Sequence, residues 1–375
     1  MARLRSVGEA GALPVSLLML KEFYCVWLSD KMALKFQSLA GNQWRGRSGI
    51  GFIPGIITFT NQGRKTQSPR LRKSLSRGVE LPVAFPGKAV FIMQVVSFMN
   101  MKGGVGKTTL AVNVAYCLAY THKKKVLVVD GDPQFNATQY LLESGVYLKH
   151  VQNEKKGTLR DIFVPKRPGP INTVIGKSKK INRAKMALSA CTCSIFDGGQ
   201  QHGKLDLIPS SLQLMDIDTS KRGTEVKLAA YLKEKADSYD YVIIDCPPTI
   251  SIFTQAAVLA STRYVVPVKP DLLSVLGLPL LETWLDEYTD DHGMTVEQVG
   301  LVFTMVRGNT PKAMREVMRD LRAARTDKVF TAHLSESTDV AESVDAHQPV
   351  FLYKPRAKTA EEILAITQEF LARTP

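Results

Sequence analysis

The sequence lacks a long uninterrupted apolar run, and this argues against a membrane-spanning helix among its 375 residues. Its most apolar stretch, residues 10–28, is broken by Lys21 and Glu22. A helix needs about 20 consecutive apolar residues to cross a bilayer. The stretch also lacks the small-residue cleavage site of a secretory signal peptide. We therefore expect a cytoplasmic protein without a membrane partner.

Cysteine is scarce, and its pattern argues against a disulfide framework. The chain has five: Cys25, Cys117, Cys191, Cys193 and Cys246. An odd number without regular spacing is typical of a reducing compartment. Cys191 and Cys193 form a C-x-C pair, but a structural metal site usually has a second pair of ligands. We therefore expect an ordinary loop there rather than a metal site.

Acidic residues are nearly absent from the first 92 positions. That segment has 14 Lys and Arg against 4 Asp and Glu, a net charge of +10, whereas residues 93–375 have 35 against 31, a net charge of +4. Such a composition is typical of a solvated basic tail, with a targeting peptide and a nucleic-acid-binding arm as functional alternatives. Met93 opens the first clear strand. We favour the hypothesis that translation begins there and that residues 1–92 lie outside the working protein.

From Met93 onward, short continuous apolar runs alternate with amphipathic segments. The predicted strands are Val95–Met99, Val126–Asp130, Leu205–Pro209, Tyr241–Asp245, Tyr264–Val268 and Val299–Val306. The predicted helices are Lys107–Tyr120, Glu225–Ala236, Ser274–Tyr288, Pro311–Arg325 and Ala360–Leu371. Continuous apolar strands indicate a parallel sheet covered on both faces. The alternation therefore predicts a doubly wound α/β fold, in which ligands bind at the carboxyl ends of the strands.

One segment, residues 146–204, interrupts this alternation. It contains three prolines within six positions and the basic run GKSKKINRAK at residues 176–185. We expect a long excursion here with one short helix, LRDIF, at residues 159–163.

The sequence MKGGVGKTT between the first strand and the first helix nearly matches the phosphate-binding loop G-x-x-x-x-G-K-[ST], except that Met101 stands at the first glycine position. The candidate phosphate-binding residues are Lys102, Gly103, Gly104, Val105, Gly106, Lys107, Thr108 and Thr109. Glycines allow backbone N–H groups to approach phosphate oxygens, and the helix start favours the same anion. Lys107 would contact the β- and γ-phosphates, and Thr108 would bind Mg²⁺. Thr109 would cap the helix or contact the α-phosphate.

Carboxylates follow two further predicted strands. Asp130 and Asp132 end the second strand, where a carboxylate can orient an attacking water, although Asp132 and Pro133 also suit a simple turn. Asp245 ends the run YVIID, as in a Walker B strand, and would hold Mg²⁺ through water. The three elements in this order predict a nucleotide site.

Three segments carry a family resemblance: KGGVGKTT, VDGDPQFNAT and YDYVIIDCPP. They resemble the ParA/MinD group of deviant Walker P-loop NTPases, and specifically its ParA/Soj partition branch. The resemblance covers residues 93–375. It implies an ATP- and Mg²⁺-dependent ATPase that hydrolyses ATP slowly and forms a homodimer on binding ATP.

The resemblance also implies roles for individual residues. Lys102 would reach across the dimer to the ATP of the second subunit. Lys107 and Thr108 would bind phosphate and Mg²⁺, Asp132 would position the hydrolytic water, and Asp245 would be the Walker B acid. The segment at Pro270 and Asp271 would lie near the adenine.

The chain departs from the family pattern in two places and from its other branches in two more. Phe135 stands where the family often has glycine, and the 146–204 excursion is unusually long and basic. The cysteines do not form the set that an iron–sulfur reductase needs. The acidic end AEEILAITQEFLARTP favours a packing helix over the amphipathic membrane helix of MinD-like ATPases.

A DNA contact is predicted on one helix. Within residues 311–325, four basic side chains fall on one side of the helix: Lys312, Arg315, Arg319 and Arg322. Such a stripe can follow DNA phosphates without reading sequence, although a solvated helix face is the alternative. The resemblance implies nonspecific DNA binding on the nucleoid, with release when a ParB-like centromere-binding partner stimulates hydrolysis. Positioning of a non-DNA cargo and regulation of its own operon are the alternative functions.

Overall fold

This computed structural model describes residues 93–154, 156–164, 190–217, 222–235 and 237–375. The predictions for residues 1–92, and for the basic run at 176–185, lie outside the described residues.

A seven-stranded sheet forms the centre of the described part. Its strands are β1 (Gln94–Phe98), β2 (Lys125–Asp130), β3 (Cys193–Asp197), β4 (Lys204–Ile208), β5 (Tyr241–Asp245), β6 (Arg263–Val268) and β7 (Glu297–Phe303). The order across the sheet is β3-β4-β2-β5-β1-β6-β7. All neighbours run parallel except β3 and β4. The predicted doubly wound, mostly parallel fold is confirmed.

Helices connect these strands. In chain order, those of the described residues are α1 (Lys107–Tyr120), α2 (Asn136–Leu141), α3 (Ser144–Leu148), α4 (Leu159–Phe163), α5 (Lys227–Lys233), α6 (Ile252–Ala260), α7 (Leu272–Asp291), α8 (Lys312–Ala324), α9 (Thr338–Asp345), α10 (Val350–Tyr353) and α11 (Lys358–Arg373). A π-helical turn spans Lys149–Asn153, and a 3₁₀ turn spans Leu212–Asp216. Helices α1 and α11 pack on one face of the sheet, and α6 and α7 pack on the other.

The strands divide their side chains between two hydrophobic cores. In β5, Val242 and Ile244 enter the core beneath α6 and α7, whereas Tyr241 and Ile243 enter the core beneath α1 and α11. Successive side chains of a strand point to opposite faces, so burial on both faces demands an uninterrupted apolar run. This is why the strand pattern in the sequence was continuous rather than alternating.

The excursion contains more regular structure than we expected. The short helix LRDIF is confirmed as α4, with Thr158 and Asp161 forming a capping box at its start. The expectation of an ordinary loop at the C-x-C pair was wrong at Cys193, which begins the antiparallel edge strand β3. Cys191 and Cys193 are both buried, and the described residues contain no cluster of three or more His, Cys, Asp or Glu arranged to hold a metal ion.

In the part of the chain that the structure describes, no helix is both long enough and apolar enough to cross a lipid bilayer.

The core beneath α1 provides a test of the fold. Leu118 is fully buried there, and Leu273 on α7 is 73% exposed. Leu118→Ala should lower the free energy of unfolding by about 2–5 kcal/mol, because it leaves a cavity in a closed core. Leu273→Ala makes the same chemical change on the surface and should alter it by less than about 0.5 kcal/mol. Urea denaturation of both variants measures this difference, and equal losses would contradict the placement of Leu118.

Candidate nucleotide site

The loop between β1 and α1 is shaped by glycine and held by β7. Gly104 and Gly106 have φ angles of 67° and 73°, a left-handed conformation that glycine adopts without strain. Gly106 directly precedes α1. The Thr304 hydroxyl, just beyond β7, donates a hydrogen bond to the Val105 carbonyl at 2.7 Å. At the start of the loop, Asn100 accepts from the Lys102 backbone N–H and donates to the Pro267 carbonyl. The loop is therefore fixed before any ligand binds.

Lys107, the first residue of α1, is buried beneath this loop. Its Nζ donates to the Lys102 backbone carbonyl at 2.9 Å. Burial lowers the pKa of Lys107, and the charge of Asp245 opposes that shift. The ammonium group thus lies where the loop amides and the start of α1 converge, an arrangement suited to an anion.

Asp245, at the end of β5, is fully buried beside the same helix start. The Thr108 hydroxyl donates to its Oδ2 at 2.6 Å. Its Oδ1 is buried and has no hydrogen-bond partner among the described residues. Burial, and then the nearby Asp130, raise the pKa of Asp245. A hydroxyl beside an unsatisfied carboxylate oxygen fits a hard cation such as Mg²⁺, which keeps several waters and binds phosphate oxygens as well.

Asp130 ends β2 level with Asp245 in the neighbouring strand. It accepts hydrogen bonds from the Thr138 hydroxyl at 2.6 Å, the Thr138 backbone N–H at 2.7 Å and the Asp132 backbone N–H at 3.2 Å. Burial raises the pKa of Asp130 to about 7 despite these donors. Through these hydrogen bonds the fully buried Asp130 holds the turn after β2 and the helix α2 in place.

Asp132 lies two residues beyond the strand and is 6% exposed. Its Oδ1 accepts from the Gln134 backbone N–H at 2.9 Å, so the turn that the sequence offered as an alternative is present. Phe135, next in this turn, has a φ of 46°. This left-handed conformation explains why glycine suits the position, and the Phe135 ring stacks on Tyr147.

Lys102 is held by residues of its own chain. Its Nζ donates to Asp271 Oδ1 at 2.8 Å, to Asp271 Oδ2 at 2.9 Å and to the Ser274 hydroxyl at 3.0 Å. Asp271 also caps α7 through the Ser274 backbone N–H. Burial opposes ionisation of Asp271, but these donors outweigh it and lower its pKa. The structure thus gives Asp271, which follows Pro270, an ion-pair partner that the sequence analysis did not foresee.

The basic side chains of α8 differ from one another in exposure. Lys312 and Arg319 are 84% and 73% exposed at their side chains, and Arg315 is also at the surface. Arg322 departs from the predicted stripe. It donates to the Thr331 carbonyl and lies over the Phe303 ring, at 5.4 Å from the centroid. Its guanidinium group thus packs against the body of the protein.

Sequence reasoning missed four residues that build the site: Gly131, Thr138, Ser210 and Thr304. Thr138, Ser210 and Thr304 act through contacts with residues distant in the chain, which no local pattern reveals. Gly131 left a signal, since a glycine between two aspartates at a strand end indicates a close backbone approach.

Comparison with known proteins finds one matching family model and several similar proteins. A family model described as an AAA domain matches residues 93–295. The sporulation initiation inhibitor protein Soj of Bacillus subtilis is 29% identical over 282 residues, which cover 74% of this chain and 98% of Soj. The chromosome partitioning protein ParA of Caulobacter vibrioides is 27% identical over 287 residues, covering 75% of this chain and 95% of ParA.

Solved structures share the fold. The ATP complex of an McdA variant from Cyanothece superposes with a TM-score of 0.56 at 20% identity, and the match covers 75% of this chain and 96% of that one. At this identity the similarity establishes the fold alone.

The contact between Gly131 and β5 can be tested by mutation. A Cβ at Gly131 would lie 2.7 Å from the Asp245 carbonyl oxygen, which the Gly131 N–H binds at 2.9 Å. Gly131→Ala should therefore lower the free energy of unfolding by about 1–3 kcal/mol.

Gly145, in α3, is the control, because a Cβ there meets nothing within 4 Å. Gly145→Ala should be neutral or stabilise by up to about 1 kcal/mol. Thermal unfolding measures both variants, and tolerance of Gly131→Ala would mean that the two strand ends do not approach this closely.

Proposed function

Because the chain belongs to the AAA domain family and is similar to Soj over 282 residues and to ParA over 287 residues, we propose that it is an ATP- and Mg²⁺-dependent partition ATPase. The observation that carries this proposal is the buried contact between Thr108 and Asp245 beneath a glycine loop, beside Lys107. A hydroxyl, a buried ammonium group and a carboxylate oxygen that has no hydrogen-bond partner in the described part of the chain lie at one strand edge. That set matches the needs of a nucleoside triphosphate with its cation.

The phosphates of ATP bind at the loop from Lys102 to Thr109. Backbone N–H groups at Gly103, Gly104 and Val105 face the anion, and the start of α1 adds its dipole. The Lys107 ammonium leaves the Lys102 carbonyl and contacts the β- and γ-phosphates. Because it is already buried, little water has to be removed from it when the phosphates arrive.

Thr108 and Asp245 would hold Mg²⁺, the carboxylate through a bound water. The cation would supply positive charge that neutralises the charge developing on the leaving group. Asp132 faces the same strand edge and orients the attacking water. Mg²⁺-dependent release of phosphate from ATP tests this function directly, and Asp132→Ala should bind ATP but hydrolyse it far more slowly than the wild type.

Lys102 completes the site of a second copy of the chain. Its side chain is 38% exposed and lies at the loop edge, so it can exchange Asp271 for the phosphates of a facing subunit. ATP concentrates negative charge at such an interface, and a cation donated by the second copy offsets it. ATP therefore drives formation of the homodimer.

We expect Lys102→Ala to abolish ATP-dependent dimerisation on a sizing column while ATP binding survives, because the loop amides and Lys107 remain. Asp271→Asn is the matched control. It removes the ion pair, keeps an α7 cap and leaves Lys102 in place, so it should still dimerise. Dimers of Lys102→Ala at wild-type yield would show that the lysine does not act across an interface.

The dimer binds DNA through exposed basic side chains, and α8 supplies the best candidates. Lys312, Arg315 and Arg319 lie on its surface. Lys312 and Arg319 pair with acidic residues of the same helix, and Arg315 donates to the Thr310 carbonyl. Exposed pairs of this kind contribute little, so a phosphate can replace the acidic partner at low cost. Contact with phosphates alone gives binding without sequence preference.

Replacement of Lys312, Arg315 and Arg319 together by Ala should strongly weaken ATP-dependent retention of the protein on nonspecific DNA, with ATP hydrolysis unchanged. Each lost phosphate contact should reduce the slope of log affinity against log salt by about 0.9. Lys149→Ala removes one exposed lysine elsewhere and serves as the control.

Two results would contradict this assignment. Equal retention with ATP, with ADP and without nucleotide would remove the ATP switch. Wild-type retention of the triple variant would move the DNA contact away from α8.

A ParB-like centromere-binding protein stimulates the slow hydrolysis and so releases the dimer from DNA. Repeated cycles of binding and release segregate plasmid or chromosome copies. The neighbouring genes test this role: a ParB-like reading frame next to the gene would favour partition over positioning of another cargo.

A further inference from the structure

Four buried polar residues, one of them Asp132, form a closed ring of hydrogen bonds. They are Asp130 at the end of β2, Thr138 in α2, Ser210 just beyond β4, and Asp132 itself. Asp130 and Ser210 are fully buried, Thr138 is 1% exposed and Asp132 is 6% exposed. The ring joins two neighbouring strands and the helix that follows the first of them.

Ser210 uses all three of its polar groups in and around this ring. Its hydroxyl donates to the Asp132 carbonyl at 2.7 Å, and its backbone N–H donates to the Thr138 hydroxyl at 2.9 Å. Its carbonyl accepts from the Tyr147 hydroxyl at 3.1 Å. The Thr138 hydroxyl in turn donates to Asp130, which accepts from the Asp132 N–H.

The turn that carries Asp132 needs such support. Helix α2 begins after Phe135 in a left-handed conformation and has no side-chain cap. Within the turn, the Asp132 carbonyl accepts one hydrogen bond, from the Phe135 N–H at 2.8 Å. The Ser210 hydroxyl, which lies just beyond β4 and more than 70 residues away in the chain, donates a second hydrogen bond to the same carbonyl. It therefore fixes the turn relative to the sheet.

The neighbouring residue shows that burial of a serine does not impose such bonds. Ser211 is 7% exposed, and its hydroxyl is buried without a hydrogen-bond partner among the described residues. The hydroxyls of these two adjacent buried serines thus differ: that of Ser210 binds the Asp132 backbone, and that of Ser211 has no hydrogen-bond partner among the described residues.

We propose that Ser210 is a positioning residue for ATP hydrolysis, which holds the Asp132 carboxylate in line with the attacking water through its bond to the Asp132 carbonyl. The inference rests on the proposed ATPase function and adds to it a contribution from β4. A carboxylate displaced by a fraction of an ångström orients water poorly, although ATP and Mg²⁺ bind through other residues.

Ser210→Ala and Ser211→Ala form a matched pair, since each removes one buried hydroxyl from adjacent positions. Ser210→Ala should lower kcat for Mg²⁺-dependent ATP hydrolysis about tenfold, with KM for ATP and ATP-dependent dimerisation unchanged. Ser211→Ala should retain wild-type kcat. Equal kcat in both variants and the wild type would overturn the proposal.

A second cycle separates positioning from general damage to the fold. In an Asp132→Ala background, Ser210→Ala should cause no further loss of kcat, because the carboxylate that it positions is gone. A further tenfold loss in that background would show that Ser210 acts by another route. Should Ser210→Ala unfold at the assay temperature, Ser210→Cys keeps the volume with a weaker donor and should give an intermediate kcat; a wild-type kcat there would count against the proposal.

The wild-type protein distinguishes this inference from the function on which it rests. Without Mg²⁺-dependent hydrolysis by the wild type, the proposed function fails. With hydrolysis by the wild type and no effect of Ser210→Ala, only the positioning role fails.

Discussion

The fully buried carboxylate of Asp245 constrains the whole carboxyl edge of the sheet. Moving an ionised carboxylate out of water is costly unless other groups bind it. Asp245 lies between Asp130 and the loop after β1, so the two acids raise the free energy of each other's ionised form. Lys107 and Thr108 partly offset this, and they come from the helix start that would hold the phosphates. A cation at the remaining Asp245 oxygen would offset the free-energy cost of burying this carboxylate, and its binding would depend on the positions of three strand ends.

The two lysines of the loop, Lys102 and Lys107, differ in burial, and this difference determines which groups each of them can contact. Lys107 is inside the fold and can contact only what enters its own loop. Lys102 is partly exposed, and its partners Asp271 and Ser274 lie at the start of α7 rather than among the phosphate-binding groups. A salt bridge with such exposure is weak, so it orients the Lys102 ammonium group, and breaking it costs little free energy. The loop of this chain therefore contains one buried lysine beside the helix start and one partly exposed lysine that is paired at the start of α7.

Local pattern sufficed for the strands, the glycine loop and Asp245, since each follows from neighbouring residues: an apolar run, a glycine that allows a left-handed turn, or an acid at a strand end. It failed where a contact joins distant parts of the chain. Thr304 meets Val105 only because β7 lies two strands from β1, and Arg322 packs on Phe303 only because α8 folds over β7. Strand β3 was hidden because an edge strand that is half exposed has no continuous apolar run.

The turn after β2 shows how the chain compensates for an unfavourable residue. Phe135 takes a left-handed backbone conformation that glycine would adopt at less cost. Its side chain makes no hydrogen bond that caps α2 and so does not offset that cost. Its ring stacks on Tyr147, whose hydroxyl binds the Ser210 carbonyl, and Ser210 binds the Asp132 carbonyl. A glycine in place of Phe135 would relax the backbone but would remove the aromatic contact that joins α3 to the turn. The turn in this chain is therefore stiffened from outside, by α3 and by Ser210 beyond β4, in addition to its own local hydrogen bonds.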